Sequence, residues 1–195
     1  SFPILNLDKS FREILLPEND LLLELDYNAA EIRVLLALAG MKQPEGDIHQ
    51  WHASSLGVSR EKAKELVLSW LYGSKTSDIG ESIQKLYDKE KILTSFYNRR
   101  EDSVTTPMGR TIKTDDFRAL NHLVQSTTAD MVFEQMAKVY KHLQGTESFI
   151  KFCLHDSIVI DLKKSELDCI MDLVDLFSNT RFGKIRVGAS AGKTF

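Results

Sequence analysis

Two aspartates, Asp26 and Asp156, lie at the ends of short apolar segments and are far apart along the chain. If folding brings their carboxylates together, the two charges repel each other unless cations lie between them. Mg²⁺ prefers carboxylate and phosphate oxygens, and a pair of such ions can activate a hydroxyl group for phosphoryl transfer and stabilise the leaving group. Taken singly, each aspartate also fits an ordinary residue at a strand end or in a turn.

A second group recurs at every fourth position: Arg60, Lys64, Leu68 and Tyr72. In an α-helix this spacing keeps side chains near one face. Two cations near the helix N-terminus, where the helix dipole also favours anions, predict a binding site for a triphosphate. The alternative is a solvated basic face with Leu68 and Tyr72 in the core.

Local hydrophobic patterns and capping residues predict the elements that would position these side chains. In chain order they are a strand at 21–26, helices at 29–39, 47–55, 59–73 and 81–99, a turn or short hairpin at 104–113, a helix at 114–143, a hairpin at 149–162, a helix at 165–179 and a strand at 184–187. The hairpin has His155-Asp156-Ser157 at or near its turn. This order of elements predicts an α+β fold.

The composition suits one compact domain, or one domain with a mobile subdomain: the chain has 195 residues, of which 43% are hydrophobic. Charged residues make up 27% without a long block of one sign, which excludes global disorder. The formal net charge of −3 neither favours nor excludes a nucleic-acid binder, because the distribution of charge decides such binding.

The two cysteines, Cys153 and Cys169, have apolar neighbours. We expect buried free thiols, no metal site at this spacing, and a reducing intracellular compartment. No apolar run approaches the roughly 20 residues that a membrane-spanning helix needs, and residues 1–5 do not resemble a signal peptide. We therefore expect no membrane association.

Six segments in order resemble the motifs of family A (DNA polymerase I-like) DNA polymerases. They are Asp26-Tyr27-Asn28-Ala29-Ala30-Glu31-Ile32-Arg33 (motif A, DYSxxELR), Asp47-Ile48-His49 (DIH), Arg60 to Gly73 (motif B, RxxxKxxxFxxxYG), Thr106-x-x-Gly109-Arg110 (TxxGR), Asn121 to Asp130 (NxxxQGTAAD) and His155-Asp156-Ser157 (motif C, HDE). Single motifs are weak signals, but six in the family's order are specific. The resemblance covers essentially the whole chain.

The resemblance implies a role for each matching residue. Asp26 and Asp156 would hold two Mg²⁺ ions, with Mn²⁺ as a possible substitute, and the Tyr27 carbonyl would assist. Glu31 would be the steric gate against a ribose 2′-hydroxyl. The triphosphate would contact His49, Arg60 and Lys64. Leu68 would contact the dNTP where the 3′ region of its sugar is sensed, and Tyr72 would stack near the incoming base pair. The DNA would contact Asn121 and Gln125 in the minor groove, His155 at the primer terminus, and Arg110.

The resemblance also implies the domain organisation. Residues 1–195 would form the catalytic region of the polymerase, with palm at 1–46, fingers at 47–113 and palm at 114–195. The palm would be an antiparallel sheet with packed helices, and the fingers an inserted helical subdomain. The thumb and exonuclease domains, absent from these residues, would belong to a longer parent chain. Template-primer DNA and dNTPs would be the partners, in the cytoplasm of a bacterial or phage-infected cell or in an organelle.

Several departures from the family pattern bear on function. Leu68 replaces an aromatic residue of motif B, Ser157 replaces the glutamate of motif C, and Ser126 replaces a glycine. Leu68 puts discrimination against dideoxynucleotides in doubt, and Ser157 predicts slower or retuned catalysis rather than its loss. Together these departures resemble a phage or viral branch of the family.

Two other functions are consistent with the same motifs. A single-subunit RNA polymerase relative would share the palm and motif B, although a gate at Glu31 argues against the acceptance of ribose. A noncatalytic or thumb-less fragment would fold but bind DNA weakly, because much of the basic surface that supplies nonspecific affinity would be missing.

Overall fold

A computed structural model of the protein describes residues 14–73 and 79–194, and the side chains of residues 79 and 80 are not part of that description. Residues 1–5, where no signal peptide is expected, lie outside this range. The elements in chain order are β1 (Leu21–Tyr27), α1 (Ala30–Leu38), α2 (Ile48–Leu56), α3 (Arg60–Leu71), α4 (Ile79–Leu86), α5 (Lys89–Thr94), β2 (Tyr97–Asn98), β3 (Ser103–Thr105), β4 (Thr111–Lys113), α6 (Ala119–His142), β5 (Phe149–Leu154), β6 (Ser157–Leu162), a 3-10 helix (Lys164–Cys169), α7 (Ile170–Ser178), β7 (Asn179–Thr180), β8 (Gly183–Lys184) and β9 (Val187–Gly192).

The described chain forms two compact units, one made of residues 14–28 and 131–194 and the other of residues 29–130. In the first unit, four strands form a sheet in the order β5-β6-β1-β9. All neighbouring strands are antiparallel. The central strand β1 pairs with two strands from the other end of the chain, so its position depends on long-range pairing.

The two faces of β1 differ because side chains alternate along a strand. Leu23, Leu25 and Tyr27 share one face and are buried. The Tyr27 ring stacks on Phe177 of α7 at 4.3 Å between ring centroids, and its hydroxyl donates to the Phe177 carbonyl. The opposite face carries Glu24 and Asp26 toward the solvent-accessible side.

Gln135 of α6 is fully buried and fixes the end of α7. Its Nε2 donates to the carbonyls of Leu176, Phe177 and Asn179 at 2.9, 3.3 and 2.7 Å. A carbonyl at a helix C-terminus has no partner within the helix. The Gln135 amide therefore provides hydrogen bonds to several carbonyls at the C-terminal end of α7, the helix against which Tyr27 packs.

The second unit is mostly helical and contains α1 to α5, the three-stranded sheet β2-β3-β4 and residues 119–130 of α6. Its core is formed by fully buried apolar side chains on several helices, including Ile32, Leu35, Ile48, Val67 and Ile83. The helices begin at side-chain caps where the sequence offers them. Ser59 Oγ accepts from the Lys62 amide at 3.2 Å, and Asp88 Oδ1 accepts from the Lys91 amide at 3.0 Å.

Several predicted elements differ from the structure. The helix predicted at 81–99 is two helices, α4 and α5, because Asp88 caps a new helix after the buried Tyr87. After α5 the chain turns into β2, so residues 97–98 are extended. Helix α6 begins at Ala119 rather than Thr114, since the Asp115 carboxylate accepts from the Arg118 amide and forms a turn before the helix.

The C-terminal elements are also shifted. The helix predicted at 165–179 begins as a 3-10 helix and becomes α-helical at Ile170. Glu166 has a non-helical backbone there, and its carboxylate accepts from the Glu147 and Ser148 amides at 3.0 Å each. The last strand is β9 at 187–192 rather than 184–187, because that segment is the one that pairs with β1.

Two further predictions concern membranes and cysteines. Across residues 14–73 and 79–194, no helix has the length and apolar character that a membrane crossing requires. Cys153 and Cys169 are free thiols, as expected, but both are half-buried rather than buried. Burial raises the pKa of each thiol above its ordinary value.

Candidate active site

The hairpin register places Asp26 beside Asp156. Strands β1 and β6 pair so that Asp26 lies opposite Ser157, the residue that follows Asp156. Because β5 and β6 pair through Leu154 and Ser157, His155 and Asp156 form a two-residue loop. The two aspartates, 130 residues apart in the chain, therefore lie at the same end of two adjacent strands.

The surroundings of Asp156 disfavour its charged form. The residue is half-buried, and burial together with the nearby charge of Glu24 raises the pKa of its carboxyl above the ordinary value. A hydrogen bond donated by its own backbone amide and the His155 charge oppose that effect. A carboxylate that is costly to ionise in this position is stabilised when a cation binds beside it.

Glu24 is a third carboxylate on the same strand face. It lies two residues before Asp26, and the Ser157 hydroxyl is 3.2 Å from its Oε1. The Ser190 hydroxyl of β9 is 3.5 Å from its Oε2. Ser157, which occupies the place of the motif C glutamate, thus contacts a carboxylate supplied by the neighbouring strand.

The donor set fits a hard cation such as Mg²⁺. Within the described residues, no group of three or more His, Cys, Asp or Glu side chains is arranged to enclose a metal ion. Mg²⁺ is commonly held by one or two carboxylates, with water and substrate phosphate oxygens completing its coordination. Two aspartates at adjacent strand ends fit that mode. The Tyr27 side chain is buried and donates to Phe177, so only the Tyr27 backbone could assist.

Two residues with positive φ flank the aspartates. His155 has φ 53° and directly precedes Asp156, and Ala29 has φ 55° three residues after Asp26. Residues other than glycine rarely adopt a positive φ, and those that do tend to cluster at functional sites. The exposed His155 side chain is held at the hairpin tip by this backbone geometry.

A second group of predicted residues lies in the other unit, at the starts of α2 and α3. Asp47 is the N-cap of α2, and its Oδ1 accepts from the amides of His49 and Gln50 at 2.8 and 2.9 Å. Its Oδ2 accepts from Arg60 Nη2 and Nε at 2.7 and 3.2 Å. The hydrogen bond from Arg60 is the main reason that the pKa of Asp47 is lowered to about 2.

His49 is buried, and its Nδ1 has no hydrogen-bond partner among the described residues. Burial lowers its pKa, and the charges of Lys64, Arg60 and Arg33 act in the same direction, while Asp47 opposes them. An anion that bound beside His49 would reverse part of this effect. Lys64 lies one turn after Arg60 on α3 and is exposed.

Three predicted substrate contacts lie together on the same unit. The Tyr72 hydroxyl donates to Glu31 Oε2 at 2.7 Å, and the Gln125 side chain also hydrogen-bonds to Tyr72. Burial and the Glu31 carboxylate raise the pKa of Tyr72 to about 12. The predicted steric gate is therefore held by the aromatic residue at the end of motif B, where Leu68 is half-buried one turn earlier.

Arg110 and Asn121 have different surroundings. Arg110 Nε lies 2.9 Å from Asp130 Oδ1, and its Nη2 donates to the Ser126 carbonyl at 2.6 Å. Thr106 Oγ1 donates to the other Asp130 oxygen at 2.8 Å. The TxxGR segment is thus bound to α6 through Asp130. Asn121 lies one turn before Gln125, and its buried Oδ1 has no partner within the described part of the chain.

Sequence reasoning missed Glu24, the Asp47–Arg60 pair and the role of Asp130. The spacing of two residues between Glu24 and Asp26 puts both on one face of a strand, and this signal could have identified Glu24. The other two depend on partners 13 and 20 residues apart, which no local pattern reveals. The structure brings Asp26 together with Asp156, and Glu31 with Tyr72 and Gln125.

The fold defined by these elements is that of a polymerase domain. A solved structure described as the POL domain of Pol1 from M. smegmatis, in complex with DNA primer-template and dNTP, matches this chain with a TM-score of 0.74. The match covers 94% of this chain and 41% of the other, at 18% sequence identity. The predicted α+β class, an antiparallel sheet with packed helices, is confirmed.

The relatives are DNA polymerases. The chain is 24% identical to a DNA polymerase of Mycobacterium phage L5 over 87% of its length, and 27% identical to one of Mycobacterium phage D29 over 71%. It is 25% identical to the thermostable DNA polymerase I of Thermus aquaticus over 83%. No family model matches the chain. The resemblance to DNA polymerase I-like enzymes, with phage relatives, is therefore confirmed.

The chain spans only part of these relatives. It covers 32% of the L5 polymerase, 28% of the D29 polymerase and 25% of the Thermus polymerase.

Proposed function

We propose that this chain is the catalytic region of a DNA-directed DNA polymerase, which adds dNTPs to a primer 3′-hydroxyl under the direction of a template. The observation that carries the proposal is the β1–β6 register, which sets Asp26 and Asp156 at the same end of two adjacent strands. Polymerase relatives and a polymerase-domain fold support it. Such an enzyme would act in the cytoplasm of a bacterial or phage-infected cell, or in an organelle.

Asp26 and Asp156 would hold two Mg²⁺ ions, with Mn²⁺ as a substitute and the Tyr27 carbonyl as a further oxygen donor. When bound, the ions would lower the pKa of the attacking hydroxyl and neutralise charge on the phosphates. The protein side chains would supply positioning and electrostatic stabilisation, on which phosphoryl transfer largely depends.

The nucleotide would be bound by the second unit. His49, Arg60 and Lys64 would contact the triphosphate, since they place cationic or hydrogen-bonding groups near the starts of α2 and α3. Glu31 would exclude a ribose 2′-hydroxyl, and its hydrogen bond with Tyr72 supports a gate with a fixed position. Leu68 would contact the sugar of the dNTP, and Tyr72 would stack near the incoming base pair.

The DNA would contact the polar side chains of α6 and the hairpin tip. Asn121 and Gln125 lie four residues apart on one helix face, so both could reach minor-groove acceptors, which every correct base pair presents. His155 would contact the primer terminus, and Arg110 the DNA near α6. Residues 1–46 and 114–195 would be palm and residues 47–113 fingers, and the thumb and exonuclease domains would complete the enzyme.

Mg²⁺-dependent primer extension by the full-length protein tests the proposal. Asp156→Asn and Asp26→Asn are expected to reduce kcat about a thousandfold, because metal-ion catalysis contributes several kcal/mol to the barrier. Asp175→Asn is the matched control, since Asp175 is an exposed aspartate of the same unit that pairs only with Lys184 and Asn179 among the described contacts. Its variant is expected to extend primers at the wild-type rate.

Each outcome separates the alternatives. Activity that survives Asp156→Asn would refute the assigned roles. A wild-type protein that never extends primers would support the noncatalytic reading, and equal use of rNTPs and dNTPs would support an RNA polymerase relative.

A further inference from the structure

Asp47 joins two elements with one carboxylate. Its Oδ1 accepts from the amides of His49 and Gln50 and so caps α2, while its Oδ2 accepts two hydrogen bonds from the Arg60 guanidinium. Arg60 is the first residue of α3. The starts of two helices, 13 residues apart in sequence, are thus connected through a single side chain.

The connection joins two of the three residues that the proposed function assigns to the triphosphate. His49 follows Asp47 by two residues, is buried, and keeps an Nδ1 with no partner among the described residues. Arg60 is 41% exposed, so its guanidinium can bind Asp47 and still reach a ligand. A guanidinium has five donors, and only two are used by this carboxylate.

We propose that Asp47 is a positioning residue that fixes His49 and Arg60 relative to each other. A nucleoside triphosphate would then bind to both residues in an arrangement that exists before it arrives. This inference rests on the proposed function of the same site. A free arginine side chain loses rotamer freedom when it binds a ligand. The ion pair with Asp47 imposes part of that order beforehand, which favours binding.

The negative charge of Asp47 has an opposite effect, because it repels phosphate. If repulsion were the larger effect, the removal of the charge would improve nucleotide binding. Two variants separate these cases. Asp47→Asn keeps a side chain that caps helices well but lacks the charge, and Asp47→Glu keeps the charge but moves the carboxylate away from the cap.

Steady-state primer extension by the full-length protein measures the effect. For both variants we expect the KM for dNTP to rise about tenfold, which corresponds to about 1.4 kcal/mol. We expect a smaller fall in kcat and an unchanged KM for primer-template. Asp88→Asn is the matched control, since Asp88 caps α5 through the Lys91 amide and has no assigned substrate contact. Its KM for dNTP is expected to equal that of the wild type.

A double-mutant cycle with Arg60→Gln distinguishes positioning from a general structural effect. If Asp47 acts through Arg60, Asp47→Asn adds little to the KM of Arg60→Gln, whereas independent effects would multiply. A KM for dNTP that stays unchanged or falls in Asp47→Asn, or effects that multiply in the double variant, would overturn the inference. Primer extension by the wild type would leave the proposed function intact in either case.

Binding of inorganic tripolyphosphate, followed by the fluorescence of Trp51 on α2, keeps the inference testable if the wild type does not extend primers. Weaker binding by Asp47→Asn and Asp47→Glu than by the wild type would support positioning even though the proposed function had failed. Equal binding by the wild type and both variants, or no binding by the wild type, would refute the inference that Asp47 positions the site.

Discussion

His52 and Tyr87 form a buried hydrogen bond inside the helical unit. The His52 Nδ1 lies 2.7 Å from the Ile48 carbonyl, which can only accept, so Nδ1 carries the proton. The neutral ring then offers Nε2 as an acceptor to the Tyr87 hydroxyl at 2.6 Å. Both side chains are fully buried. The pair therefore holds a neutral His52 of α2 against Tyr87, which follows α4 in the same unit.

Tyr87→Phe removes the donor and leaves Nε2 buried without a partner. Such a loss costs about 1–3 kcal/mol, which in a chain of this size lowers the melting temperature by about 2–4 °C per kcal/mol. Tyr140→Phe is the matched control, because Tyr140 is 59% exposed on α6. A surface change of this kind is expected to stay within about 0.5 kcal/mol.

The burial of His52 also makes stability depend on pH. Burial lowers the pKa of His52 from 6.5 to about 4, so the folded protein binds this proton less readily than the unfolded chain does. The contribution is complete above pH 6.5 and is lost as the pH falls from 6.5 to about 4. Each pKa unit corresponds to about 1.4 kcal/mol, so the full loss is roughly 3 kcal/mol.

Urea unfolding followed by tryptophan fluorescence measures both effects in the relevant unit. Trp51 lies against His52, with ring centroids 4.9 Å apart, and Trp70 stacks on Tyr87 at 5.9 Å. His52→Gln cannot titrate, so its stability should fall less steeply than that of the wild type below pH 6.5. Equal slopes for wild type and His52→Gln, or a Tyr87→Phe variant as stable as Tyr140→Phe, would refute the reasoning.

Two further substitutions test other parts of the fold. Gly73→Ala should destabilise by about 1–3 kcal/mol, because Gly73 has φ +83° and an added Cβ would lie 2.7 Å from the Phe117 ring. Gly46→Ala should change the thermal midpoint little, because an added Cβ would meet no atom of other residues within 4 Å apart from its chain neighbours. Equal midpoints for the two variants would contradict this. Asp161→Asn should lower the free energy of unfolding in urea by about 2–4 kcal/mol, since the buried carboxylate accepts from Lys151 at 2.8 Å. A loss below about 0.5 kcal/mol would show that the amide satisfies the same partners.

Patterns of short range predicted the elements around the aspartates well. The apolar run before Asp26 is β1, and the alternation around Asp156 is the β5–β6 hairpin with its loop at the predicted place. Ser59 caps α3 at the start of the helix predicted at 59–73, because a cap is a contact between residues three apart. In each case the information lies within a few residues of the element.

The predictions that failed depend on contacts between residues far apart in the sequence. The final strand was placed too early because its position is set by pairing with β1, some 165 residues away, and not by its own composition. The segment 187–192 is rich in glycine and alanine, which have low strand propensity. Likewise, Ser157 could be identified as a departure from motif C, but its contact with Glu24 depends on the β1–β6 register.

The left-handed backbone of His155 sets a trade-off at the hairpin tip. Glycine adopts φ 53° without steric cost, whereas a histidine there is strained. Directed evolution for heat resistance alone is thus expected to favour His155→Gly. Under the proposed function, in which His155 contacts the primer terminus, selection for primer extension is expected to keep the imidazole. Applying the two selections separately to one library would show whether stability or primer extension determines which residue is retained at position 155.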